Sequence, residues 1–86
     1  MQITIKKPTD AEITHMKKHP TWGCDISTFD WHYDDEETFL LIEGAVTIEY
    51  AKGSVRVTPG DLVTCPAGLS CVWNVTSPVR KHYVFS

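Results

Sequence analysis

Nowhere in the 86 residues do apolar side chains run to the ~20 consecutive positions that a bilayer-spanning helix needs. The opening MQITIKKPTD lacks the long apolar stretch of an export signal. Cysteine is scarce too: three residues, an odd number with no CxxC pair, make no disulfide framework and fit a reducing cytoplasm. Basic residues are outnumbered eight to eleven, which leaves a net charge of −3. They cluster no more densely than the pairs Lys6–Lys7, Lys17–Lys18 and Arg80–Lys81, which read as solvated surface and argue against nucleic acid as the main partner. The NVT at Asn74–Thr76 has no glycosylation meaning in a cytoplasmic chain. There is no repeat, no low-complexity tract and no linker. With 42% hydrophobic and 22% charged residues, the composition is that of one folded domain spanning residues 1–86.

Periodicity divides this domain into a helical entry (1–21) and a β region (22–86). Gln2–Ile5 alternates polar and apolar and predicts a short strand ended by Pro8. Thr9 with Glu12 three residues later is a capping box, predicting one short helix from about Asp10 to Lys18, stopped by Pro20. Ile13 and Met16 share one face of it. Beyond Thr21 the period becomes two. Phe29, Trp31 and Tyr33 fall on one strand face, Asp30 and His32 on the other. Glycine and proline turns then separate TFLLIEG, VTIEY, VRV, LVTC, LSCVWNV and VRKHYVF. About eight short strands at this spacing predict a mainly β sandwich or closed barrel.

Two linked patterns sharpen that expectation. Glu37 and Gly44 are separated by six residues, and Gly60, Pro66 and Gly68 are spaced G-x5-P-x-G. These resemble the two motifs of the cupin superfamily, double-stranded β-helix (jelly-roll) barrels. The full motifs run H-x-H, three or four residues, E, six residues, G, and later G-x5-P-x-G-x2-H. Within that superfamily, WHYDDEETFLLIEG, PGDLVTCPAGLSCVWNV and PVRKHYVFS resemble the cupin domain of (S)-ureidoglycine aminohydrolase. The resemblance implies a site inside the barrel and, in members that keep every ligand, a divalent transition metal such as Mn, Fe, Ni or Zn.

This chain departs from the ligand pattern. Trp31 and Tyr33 stand at the two histidine positions of the first motif and Cys71 at that of the second; Glu37 alone retains its type. Tryptophan offers only an N–H donor, and tyrosine ionises only near pH 10. Any metal here would have to use Glu37 and Cys71 with His82 or Tyr33. Without one, Glu37 and Cys71 are the candidate catalytic groups, as acid–base and thiol. Trp31, Tyr33 and Trp73 form an aromatic wall able to stack on a planar or sugar-like ligand or simply to fill the core. On the last strand either His82 or Tyr83 faces inward. The remaining cysteines, Cys24 and Cys65, read as core or rim.

The expectation is a small cupin barrel that holds a small polar metabolite in an internal pocket, with a non-standard metal site or none. A metal-dependent hydrolase of a ureido or amide compound is the alternative. Sheet edges in so small a barrel favour a homodimer.

Overall fold

The computed structural model describes residues 1–86 and contains seven strands and one helix. β1 (Thr4–Lys6) leads into α1 (Asp10–Met16), followed by β2 (Thr21–Cys24), β3 (Ser27–His32), β4 (Glu37–Tyr50), β5 (Gly53–Val57), β6 (Leu62–Cys65) and β7 (Ser70–Phe85). The helix starts as the capping box dictates. Thr9 Oγ1 accepts from the Glu12 backbone N–H, and the Glu12 carboxylate accepts from the Thr9 N–H. It ends at Met16 with Lys17 as its cap, a turn short of Pro20. No helix is long and apolar enough to cross a membrane.

The strand count is seven because two pairs of the eight expected strands are continuous and Thr21–Cys24 adds a strand that was not expected. TFLLIEG and VTIEY join as β4, and LSCVWNV joins VRKHYVF as β7. Each long strand bends midway, so that one continuous seven-stranded sheet folds into two facing sheets. The first half of β4 pairs with β6 and with the second half of β7, while β1 and β2 complete that sheet. The second half of β4 pairs with β5 and with the first half of β7, which carries β3 on its far side. Register shifts between Leu41 and Val46 mark the bend. Gly44 sits there at φ +83, and a Cβ on it would lie 2.0 Å from the Pro78 carbonyl oxygen, so only glycine lets the two long strands cross this closely.

The two sheets enclose the main core, in which Phe39, Leu41, Val46, Ile48, Val57, Val63 and Trp73 are buried. Ile3, just before β1, also belongs to it. Met16 and Ile13 of α1 cover the outer face of the first sheet, against Leu40, Leu62, Ile42 and Val84. One mouth of the sandwich, between β2, β3 and the ends of β4 and β7, remains open. The chemistry lies there.

Candidate functional site

A cavity of about 250 Å³ opens at that mouth, with a wall of Trp22, Phe29, Trp31, Tyr33, Tyr83 and Phe85. Trp73, Glu37 and Lys81 complete its lining. Period-two geometry places each of them. Phe29 and Trp31 occupy alternate positions of β3, and Tyr33 continues their face just past its end. Tyr33 is locked in place from the turn before β7: its N–H donates to the Leu69 carbonyl at 2.9 Å, and its own carbonyl accepts from Gly68 N–H at 2.6 Å. Gly68 adopts φ +87 in that turn. Glu37 opens β4 in register with Cys65 of β6 and Phe85 of β7.

Glu37 is 2% exposed, although it ends the acidic run Asp34–Glu37, whose other members are exposed. Its counter-ion is Lys81, whose ammonium lies 2.8 Å from Glu37 Oε2 and whose side chain is 8% exposed. Lys81 pairs in register with Leu41, four residues from the Phe85 that faces Glu37, or roughly 13 Å along the strand. The lysine and glutamate side chains lean toward each other to close that gap, and the ammonium sits 4.4 Å from the ring centre of Trp73, 4.5 Å from Phe39 and 5.1 Å from Trp22. Three ring faces supply cation–π attraction in place of water. Burial still pulls the Lys81 pKa below the ordinary lysine value, against the opposing pull of the Glu37 carboxylate.

Other polar groups at the base are poorly satisfied. The Tyr33 hydroxyl and Trp73 Nε1 are buried without a hydrogen-bond partner. Burial, then the neighbouring Cys65 and Glu37, push the phenol of Tyr33 well above its usual range. Burial pushes the Cys65 thiol up to about 12. The Cys71 thiol is raised as well, by burial and then by the charge of Glu37. Cys71 is therefore a protonated core thiol at neutral pH, packed with Trp73 and Val75, and not among the residues that line the cavity. Cys65 is fully buried, while Cys24 is half-buried at the rim.

His82 is a correction. It lies on the outer face of β7, where its Nδ1–H donates to the His19 carbonyl oxygen at 2.9 Å. Tyr83 takes the inward position. His32 points away too and contacts Ser70 Oγ at 2.8 Å. Trp31 reaches the cavity from its rim, 48% exposed and edge-on to Tyr33. The structure thus brings Glu37, Tyr33, Trp31 and Trp73 together and leaves Cys71 and His82 outside.

Lys81 is the residue that sequence reasoning missed, because Arg80–Lys81 read as a solvated pair. The signal was present in β7. Cys71, Trp73 and Val75 alternate inward, and past the bend Val79 and Tyr83 do the same, which fixes Lys81 inside. Trp22, on β2 opposite Lys81, was missed because no strand was expected at Thr21–Cys24.

A transition metal does not fit these residues. No three His, Cys, Asp or Glu side chains converge. Glu37 already faces an ammonium ion, Trp31 cannot ligate, and the phenol of Tyr33 is held protonated.

Fold and site together define a cupin whose cavity floor carries an organic ion pair. Residues 12–83 match the EutQ-like cupin domain, and the chain belongs to that family. It is similar over nearly its whole length to a DUF861-family protein of Thermotoga maritima, at 41% identity and a TM-score of 0.93, covering 99% of this chain and 100% of that one. It is also similar to a DUF861-family protein of unknown function from Pseudomonas syringae pv. tomato (31% identity, TM-score 0.70), covering 77% of this chain and 29% of that one. The third likeness is to the EutQ protein of Clostridium difficile (26%, TM-score 0.70), with 76% of this chain and 52% of that one covered. No curated protein sequence matches it.

Proposed function

We propose that this cupin binds a small metabolite with a flat apolar body and a polar end, and that it does so without a metal. The observation that carries this reading is the Glu37–Lys81 pair at the base of an aromatic cavity. Lysine has three N–H donors and a carboxylate about four acceptor sites. One 2.8 Å contact leaves most of that capacity free for a ligand's carbonyl, carboxylate, amide or ureido group. The aromatic wall supplies the apolar contact, and a cavity of about 250 Å³ restricts the ligand to a compact molecule, near the lower end of typical ligand pockets of ~300–1,000 Å³.

A hydrolase of the ureidoglycine aminohydrolase type would share the polar preference but would need a metal or another activator of water. The side chains around Glu37 supply no set of three ligands for the first. Binding is therefore preferred over hydrolysis. A thermal-shift screen of small carbonyl, carboxylate and ureido compounds tests the proposal, since a ligand of the folded state raises the melting temperature. Hits that vanish in Glu37→Gln and in Lys81→Met support it. Hits unaffected by both substitutions place binding elsewhere and refute it.

A homodimer is proposed alongside. β1 pairs with β6 on one side only, and its three residues are all exposed, so its outer edge is free for a second copy. Sedimentation at high micromolar concentration is expected to show twice the 9.7 kDa chain mass.

A further inference from the structure

Of six lysines in the chain, Lys81 alone is buried. A lysine becomes a nucleophile when its amine is desolvated and a base can take its proton, and both conditions depend on position. Desolvation comes from Trp22, Phe39 and Trp73, which surround the ammonium at 4.4–5.1 Å. The base is Glu37, at 2.8 Å. Lys81, Glu37, Trp22 and Trp73 line a cavity with access to solvent, so a ligand and the amine can meet. A structural ion pair needs no such opening.

We propose that Lys81 captures a small aldehyde or ketone as a protonated imine, with Glu37 moving the protons. The proposal rests on the cavity being a ligand site. Glu37 first accepts a proton from the ammonium. The freed amine lone pair attacks the carbonyl carbon, forming a C–N bond while the C=O π pair moves to oxygen, which takes the proton back from Glu37. Glu37 next removes a proton from the nitrogen and delivers it to the hydroxyl. Water leaves as the nitrogen lone pair forms C=N. Overall, ammonium plus carbonyl gives protonated imine plus one water, and Glu37 returns to carboxylate. No oxidant, reductant or metal enters. The imine keeps the positive charge of Lys81 beside Glu37, so the charge balance at the base of the cavity is the same before and after. With aromatic side chains around the reacting carbon, aryl and short alkyl carbonyl compounds are the preferred class.

The intact protein is incubated with benzaldehyde, imines are trapped by borohydride reduction, and the modified lysine is located by peptide mass spectrometry. Noncovalent binding is followed in parallel by thermal shift with benzyl alcohol, which fits the same space and has no carbonyl. The expected result is labelling at Lys81 at least tenfold faster than at exposed Lys6, Lys7, Lys17, Lys18 or Lys52. That preference is lost in Lys81→Arg, and labelling is at least tenfold slower in Glu37→Gln. Benzyl alcohol binding with Lys81 labelled no faster than the exposed lysines overturns the imine and leaves the binding site intact. No effect of benzyl alcohol together with no preferential labelling overturns both. Preferential labelling that is undiminished in Glu37→Gln removes Glu37 from the mechanism and overturns the proton relay.

Discussion

Of three short carboxylate–lysine pairs in the chain, two involve a buried carboxylate, and those two differ in what surrounds the lysine and what else satisfies the carboxylate. Asp61 meets Lys7 at 2.6 Å and also accepts from the Thr58 backbone N–H at 2.9 Å and from Thr58 Oγ1 at 3.3 Å. Its lysine is 75% exposed. Glu37 meets only Lys81, and both side chains are at least 90% buried. The first pair ties a turn shut with several neutral and charged donors, and water still reaches its cation. The second places two opposite charges in an aromatic enclosure with nothing else to satisfy them. Burial of such a pair is costly and contributes little net stability compared with an apolar replacement. A fold that needed only to be stable would favour the first arrangement. The second suits a site that keeps unspent hydrogen-bonding capacity for something else.

Removing one partner separates them most sharply. Lys81→Met leaves the Glu37 charge buried alone, and the expected loss is about 3–5 kcal/mol, the usual cost of breaking a buried pair from one side. Adding Glu37→Gln to Lys81→Met is expected to recover most of it, because neither charge then remains. Chemical denaturation of the three proteins measures this. A double variant no more stable than Lys81→Met would mean that Lys81 matters through packing alone.

How much of this arrangement the sequence disclosed depends on side-chain chemistry. The barrel was legible because glycine at a positive φ and alternating strands leave a clear pattern: Gly44, Gly60 and Gly68 all sit where a turn or a crossing demands them. The inward register of Glu37 followed from its spacing to Gly44. The count of strands was not legible, because the bends that keep β4 and β7 continuous arise from long-range pairing. Lys81 was obscured by a sound rule, that adjacent cations prefer water, which the strand alternation overrides for one member of the pair. His82 lost the inward place because that alternation puts Lys81 and Tyr83 inside together.

Alkaline pH probes the buried base of the cavity next. Cys65, Cys71 and Tyr33 all hold their protons more tightly in the fold than in the unfolded chain. The folded chain thus binds more protons above pH 9, the ordinary thiol value, and stability falls as pH rises toward the raised value of about 12 for Cys65. Each such group costs up to about 1.4 kcal/mol per pH unit in its window. Lys81, with its lowered value, works in the opposite direction but is one group against three. Denaturation midpoints are expected to drop between pH 9 and pH 11, and the drop should shrink in Cys65→Ala. A flat profile would mean that these groups ionise freely in the fold.

The outer pair has its own limb at low pH. Burial pushes the Asp61 carboxyl up, but the hydrogen bonds from Lys7 and Thr58 outweigh it and hold it below the ordinary value of 3.8. Its contribution is present above that value and is lost as pH falls through the lowered one. Asp61→Ala removes three contacts and frees the Thr58 N–H, and is expected to cost about 1–3 kcal/mol at neutral pH. The loss should narrow as pH falls below 3.8 and through the lowered value, where the native carboxyl is itself protonated.

Lys7→Ala should have the smallest effect, and it tests the comparison from the other side. The Lys7–Asp61 contact is the shorter of the two, so distance alone would make it the stronger interaction. Solvent around the lysine argues otherwise. Exposed pairs are worth about 0.2–1 kcal/mol, since water screens the attraction and a long side chain loses freedom to make it. Asp61 Oδ2 keeps both contacts to Thr58 when Lys7 is gone and only Oδ1 loses its partner, so the carboxylate is not left wholly unpaired as Glu37 is in Lys81→Met. Salt provides the discriminating measurement. The screening length falls from about 10 Å at 0.1 M to about 3 Å at 1 M, which reaches Lys7 but not the enclosed Lys81. The small cost of Lys7→Ala should therefore fade at 1 M salt while that of Lys81→Met persists. Equal salt sensitivity of the two variants would show that water reaches both pairs alike and would remove the physical distinction between them.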